Sequence, residues 1–186
     1  MIIEEMTDKK LYTQFLEGDD QSFDQLVLRH KNGIIYFLSR YTKSFEVAED
    51  ISQDVFVYLL LNKGKYDPQY SFKTYIYMIA KSRAINYVKK ESRKVLVENI
   101  EEIYKDGYEI EEDIFSKETS ENVRRILNTL KREYQVVIHL VDFEYLTYIE
   151  AAEVMNKSES QIRALVHNAR KKLRKEIEKE GGKFVL

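Results

Sequence analysis

Three groups of side chains have the types and spacing to do chemistry. In the first, Lys63, Lys65, Lys73, Lys81, Arg83, Lys89 and Lys90 stand among Tyr66, Tyr70 and Asn86. Cations at this density pair with phosphates, and aromatic faces replace the stacking that an unpaired base has lost, worth about 1–3 kcal/mol per base. That chemistry suits single-stranded DNA. In the second group, Ser158, Ser160, Gln161, Arg163, Ala164, His167, Lys171 and Arg174 follow in one segment, with Thr147 upstream. Small and forked polar groups can approach base edges in a major groove, while Lys171, Arg174 and Lys175 lie where phosphates pass. In the third, Glu46, Glu49, Asp50, Gln53 and Asp54 interleave with Phe56, Val57 and Leu60. Apolar anchors rimmed by acids suit a basic protein surface.

These groups need helices to present them. Asp19/Asp20 can cap a helix to about Arg40, in which Phe23, Leu26, Val27, His30, Ile34, Phe37 and Leu38 recur at three- and four-residue spacing. A short helix at 8–17 precedes it, and a second long helix covers 45–62. There Val47, Ala48, Ile51, Val55, Tyr58 and Leu59 fall in one sector and form the core face, so Phe56, Val57 and Leu60 are expected in solvent beside the acids. Gly64 and Asp67-Pro68 break the pattern at 62–71, and a third helix runs over 71–92 with Phe72, Tyr75, Ile76, Ile79, Ala80, Ala84 and Tyr87 on its apolar side.

Periodicity fades from Arg93 to Lys117, where Ile100, Ile103, Tyr104 and Ile110 are scattered among carboxylates. Length and negative charge make this a flexible acidic linker. Val123, Ile126, Leu127 and Leu130, then Val136, Val137, Leu140 and Val141, predict two antiparallel helices joined near Lys131 to Glu133. Thr147-Tyr148-Ile149-Glu150 and Ser158-Glu159-Ser160-Gln161 are two capping boxes. They confine the first helix to about 148–155, and Asn156 tolerates the left-handed exit. A short helix, a tight turn and a longer helix make a helix-turn-helix. In the longer one Ile162, Leu165, Val166, Ala169, Leu173 and Ile177 form the core stripe. The fold class is all-α, in two small helical domains, 1–92 and 119–186, joined by the linker 93–118.

Composition agrees. One proline and six glycines leave few helix breaks and no glycine-rich phosphate loop. With no cysteine, and with His30, His139 and His167 scattered, neither a metal site nor any other cofactor is expected. No Ser/His/Asp or paired-carboxylate constellation emerges, so no enzyme activity is expected. No apolar run is long enough to span a bilayer, and MIIEEMTDKK has acids where a signal peptide is basic, which predicts a cytoplasmic protein without membrane insertion. The net charge of -2 conceals sorting along the chain. Residues 73–94 hold seven Lys/Arg against one acid, 157–180 hold eight against four, and 95–121 hold ten acids against two bases. Two basic modules flank an acidic connector.

Together, AEDISQDVFVYLL (48–60), YDPQYSFKTYIYMIAKSRAINYVKK (66–90) and LTYIEAAEVMNKSESQIRALVHNARKKLRK (146–175) closely resemble regions 2 and 4 of bacterial extracytoplasmic-function (ECF) sigma factors, in order and spacing. The resemblance implies binding to core RNA polymerase and direction of the enzyme to promoters. Glu49, Asp50, Gln53, Asp54, Phe56, Val57 and Leu60 would meet the clamp coiled coil of the largest subunit, and the flap would be a further polymerase contact. The loop 62–71 and the following helix would open and read the −10 element, capturing a flipped base. The last helix would read the −35 element, the linker would follow the path of RNA through the polymerase, and an anti-sigma factor is a possible further partner. Met78, Tyr75, Leu165 and Asn168 depart from residues frequent in the family. The residues by themselves also fit a helix-turn-helix regulator acting without being a polymerase subunit. A helical nuclease would need Glu46, Glu49, Asp50 and Asp54 to gather a metal, against which their apolar neighbours argue.

Overall fold

The computed structural model describes residues 6–97 and 125–179. Among them there is no strand, and the chain forms two compact units, Met1–Glu109 and Ile110–Leu186.

The first unit is built around its second helix, on which the others pack. Helix α1 (Asp8–Leu16) is capped by Thr7, whose hydroxyl accepts from the Lys10 amide. Gly18, at φ +103, turns the chain where a Cβ would be strained. Helix α2 (Asp20–Thr42) begins at the expected cap, with Asp19 accepting from the Gln21 amide. It buries Phe23, Leu26, His30, Ile34, Ile35, Phe37 and Leu38, and α1, α3 and α4 all pack on it. Helix α3 (Phe45–Leu61) starts at the Ser44 cap, and α4 (Phe72–Val97) at Ser71, whose hydroxyl accepts from the Thr74 amide. Each fully buried Leu, Ile or Phe contributes about 1.5–3 kcal/mol.

One polar cluster sits in this interface. His30, 3 % exposed, lies 2.7 Å from Asp8 through Nε2, and the Arg29 guanidinium donates to both Asp8 (2.6 Å) and the Met6 carbonyl (2.9 Å). Burial opposes ionisation of Asp8, but hydrogen bonds and charge from His30 and Arg29 outweigh it and hold the carboxyl below its ordinary value of 3.8.

In the second unit a helical stretch over 125–129 (α5) is followed by α6 (Arg132–Ile138), a π turn (His139–Phe143), α7 (Tyr148–Met155) and α8 (Glu159–Lys179). Leu127, Leu130, Val136, Val137, Leu140, Val154, Ile162, Val166 and Leu173 are among its buried side chains.

Two expectations are corrected. Helix α4 continues five residues past 92, to Val97, so the expected linker is helical where it begins. The regular helix expected through Leu140 and Val141 widens instead, the Glu144 amide reaching the His139 carbonyl at 2.9 Å. The wider turn accompanies an ion pair from Asp142 to Arg170 of α8, which also accepts from Arg170 Nε at 3.3 Å. The linker beyond Val97, with Ile100, Ile103, Tyr104 and Ile110, and the helix start at Val123 lie outside the described residues.

Asp8→Ala is expected to lower the unfolding free energy of the first unit by about 1–3 kcal/mol near neutral pH, because His30 stays buried without its partner. A carboxyl whose folded pKa is depressed stabilises fully above its unfolded value and loses that contribution as pH falls through the folded one. Urea unfolding curves of the native and Asp8→Ala chains should therefore converge below pH 3.8.

Candidate nucleic-acid and partner interfaces

The outer side of α3 carries the acid-rimmed apolar group. Ala48, Ile51, Ser52, Val55, Phe56 and Leu59 are buried. Val57 is 50 % and Leu60 42 % exposed, and Glu46, Glu49, Asp50, Gln53 and Asp54 are exposed with them. Phe56 corrects the expectation: at 7 % exposure it belongs to the core. The core arc of α3 centres between Ala48 and Ser52 instead of toward Val47 and Tyr58, and this rotation takes Phe56 in and leaves Tyr58 half-buried at the far edge. Leu61, 76 % exposed, extends the apolar surface beyond the residues expected. Among the described residues no three His, Asp or Glu side chains are placed to hold a metal ion.

The loop between α3 and α4 is a folded object. A 3-10 turn at Lys63–Lys65 opens it, and Asp67 accepts from the Gln69 amide at 3.0 Å. Tyr66, expected to await a base, packs edge-on to Tyr12 at 4.8 Å between ring centroids and tilts on Tyr75 at 5.3 Å. Its hydroxyl donates to the Tyr70 carbonyl at 2.7 Å. Burial is the main cause that pushes its pKa upward. Three of the expected cations rest on rings. Lys63 Nζ sits 3.9 Å above Phe15 and 3.8 Å from Asp20, while Lys65 and Arg83 approach Tyr58 at 5.8 and 5.2 Å.

Along α4, Arg83, Asn86 and Lys90 share an arc with Tyr75 and Ile79, and Lys89 borders it. Tyr75 donates to the Lys65 carbonyl at 3.2 Å, which places this arc beside the loop and Tyr58. The structure therefore gathers Lys65, Tyr66, Arg83, Asn86, Lys89 and Lys90. Lys81 does not join them, lying on the other flank of the buried stripe, and Lys73 is half-buried in the first turn on the line of Ile76 and Ala80. Tyr58 flanks the α3 core stripe on this side, one turn from the exposed Asp54, with Glu49, Gln53 and Leu60 on the other.

In the second unit both capping boxes are formed. Thr147 Oγ1 accepts from the Glu150 amide at 3.2 Å and Glu150 from the Thr147 amide at 2.9 Å. Ser158 Oγ accepts from the Gln161 amide at 3.2 Å, and Gln161 Oε1 from the Ser158 amide at 2.8 Å. Asn156 takes the left-handed exit, φ 54. Ala164, His167, Lys171 and Arg174 form an exposed strip of α8 opposite the buried Ile162, Val166, Ala169, Leu173 and Ile177. Ser160 lies at the head of that strip, 2.9 Å from Ser158 Oγ. Arg163 is on its edge, with Nη2 2.7 Å from Glu159 and its guanidinium 5.1 Å from the Tyr148 ring. Hydrogen bonds from Lys172 and Lys179 draw the Glu176 carboxyl to about 2, so it stays ionised and its charge is paired with two lysines of the same helix.

The expectations omitted several participants. Tyr12, Phe15, Tyr58 and Tyr75 hold the loop, the tyrosines Tyr12 and Tyr75 through their hydroxyls and Phe15 and Tyr58 through ring faces under Lys63 and Lys65. Phe143, Tyr145 and Ile149 are exposed around the helix-turn-helix entry, Tyr145 at 84 % and with φ 57. No periodicity marks that position.

Thr147→Ala removes one side of a complete capping box and is expected to cost the second unit about 1 kcal/mol in denaturant unfolding followed by circular dichroism. Thr147→Asp should restore most of the loss.

Residues 26–94 match the family described as sigma-70 region 2, and residues 120–173 the one described as sigma-70, region 4. The chain is 27 % identical over 183 residues to the ECF RNA polymerase sigma factor SigW of Bacillus subtilis, covering 93 % of this chain and 98 % of that one. It is 30 % identical over 161 residues to RNA polymerase sigma factor YlaC of the same organism, covering 85 % and 93 %. Among solved structures its fold is similar to the sigma factor RpoE crystallised with the anti-sigma factor NepR from Bartonella quintana, at a TM-score of 0.72 and 18 % identity over 85 % of this chain and 98 % of that one. CnrH, solved with the cytosolic domain of CnrY, gives 0.63 at 21 % identity over 92 % and 97 %. With both regions in order on one chain and a relative of this identity along most of its length, the protein belongs to the ECF group of the sigma-70 family, the sigma factors that direct transcription initiation.

Proposed function

We propose that the protein works as a bridge without a catalytic step of its own. The outer side of α3 docks on core RNA polymerase in the cytoplasm, the loop 62–71 with α4 opens and reads the −10 element, and α8 reads the −35 element. The observation that carries this reading is the division of the first unit: Val57 and Leu60 stand exposed among Glu49, Asp50 and Gln53 on one flank of α3, while Arg83, Asn86 and Lys90 line α4 beside Tyr58 on the other. A basic polymerase surface complements the first face and DNA the second.

Duplex opening costs a few kcal/mol per disrupted step. Phosphate contacts and base capture at the cationic face can offset that cost, so no nucleotide hydrolysis is needed. On α8, Ser158 and Gln161 secure the helix start and suit phosphate contacts through the same polar groups, whereas Ala164 and His167 lie where base edges come close. Arg163 must exchange Glu159 for DNA. An anti-sigma factor competing for either face is a further partner consistent with the reading; the structurally similar sigma factor RpoE was solved with such a partner.

Transcription with purified core polymerase tests the whole scheme: the chain should confer start-site choice on sigma-free enzyme, and random initiation in its presence would refute it. Gln53→Ala combined with Leu60→Ala is expected to weaken polymerase association while helicity is unchanged; equal affinity would remove α3 from the interface. Arg163→Ala should reduce −35 recognition by about 1–3 kcal/mol and relax base preference, whereas Lys171→Ala should weaken binding to all sequences and lower the salt slope by about 1.

A further inference from the structure

Tyr12 belongs to α1, far in sequence from the loop, yet it makes a buried contact with it. Its side chain is 1 % exposed, and its hydroxyl donates to the Lys63 carbonyl at 2.8 Å. The ring lies 4.8 Å from Tyr66 and 5.3 Å from Phe72. One turn away, Phe15 carries the Lys63 ammonium at 3.9 Å and stacks on Phe23 of α2 at 4.5 Å. Tyr75 repeats the device from α4, donating to the Lys65 carbonyl. Two tyrosine hydroxyls thus grip alternate carbonyls of a single 3-10 turn, one from α1 and one from α4.

We infer that Tyr12 is a positioning residue for promoter selectivity: by fixing the Lys63 carbonyl and the Tyr66 ring it sets the placement of the 62–71 loop against the −10 element. This rests on the proposed role of the loop in reading that element. A backbone carbonyl held by a buried donor fixes the chain itself, so the side chains on either side of it, Lys65 and Tyr66 included, start from one arrangement. Pre-organisation of this kind lowers the ordering cost of binding only for the ligand that the held arrangement fits, which makes it a specificity device. Burial also raises the Tyr12 pKa to about 12, so the donor stays protonated throughout the neutral range.

The test uses the full chain with core polymerase and templates that share one −35 element and differ by single bases in the −10 element. Tyr12→Phe keeps the ring and removes the donor. It is expected to lower discrimination among the templates by about 2- to 10-fold, the range of one net hydrogen bond, with polymerase affinity and −35 dependence unaltered. A role confined to stability would lower every template's output by the same factor and overturn the inference. The double substitution Lys65→Ala, Tyr66→Ala tests the underlying reading separately: if discrimination survives it, the loop does not read the element; if discrimination is lost there and intact in Tyr12→Phe, the loop reads and Tyr12 does not position it. Tyr75→Phe, at a less buried site, should give a smaller loss of the same kind and decides the matter if Tyr12→Phe fails to fold.

Discussion

Burial of apolar side chains around α2 governs what the first unit can offer a partner. Three helices pack on α2, and each must turn its apolar stripe inward, so its opposite side is committed to solvent. On α3 the outward side carries Glu49, Asp50, Gln53, Val57 and Leu60; on α4 it carries Tyr75, Asn86 and Lys89. An acid-apolar side of α3 and a cationic side of α4 thus arise on one small unit.

The aromatic cluster adds a second constraint. Tyrosine packs like phenylalanine while offering one hydrogen bond, and at Tyr12 and Tyr75 that bond is spent on loop carbonyls. A loop containing Gly64, Asp67 and Pro68 would otherwise sample many shapes; here it is folded before any ligand arrives. In the second unit, order comes from caps and from the ion pair between Asp142 and Arg170, which ties the π turn to the middle of α8. Both units present chemistry from rigid elements, as recognition of a defined geometry requires.

Local signals were legible in the sequence because their physics is local. Asp19, Thr147, Ser158 and Asn156 act on backbone groups within a few residues, and each sits where the spacing places it. The stripe from Ile162 to Ile177 likewise follows from helical period alone. Phe56 was not legible: which edge of a broad stripe enters the core depends on the position of α2 and α4, which α3 does not encode. The packing of Tyr66 was not legible for a related reason, since its partner Tyr12 lies more than fifty residues away. The π turn left no trace in the apolar pattern, because the ion pair that accompanies it spans the distance from Asp142 to Arg170.

The central claim is that opposite flanks of one helical unit meet different molecules at the same time. Site-specific photo-crosslinking measures this most directly, with a photoreactive residue in place of Leu60 in one preparation and of Arg83 in another, each assembled with core polymerase and promoter DNA. The account predicts a polymerase subunit joined at position 60 and the promoter strand joined at position 83. DNA captured at position 60, or polymerase alone captured at position 83, would contradict it.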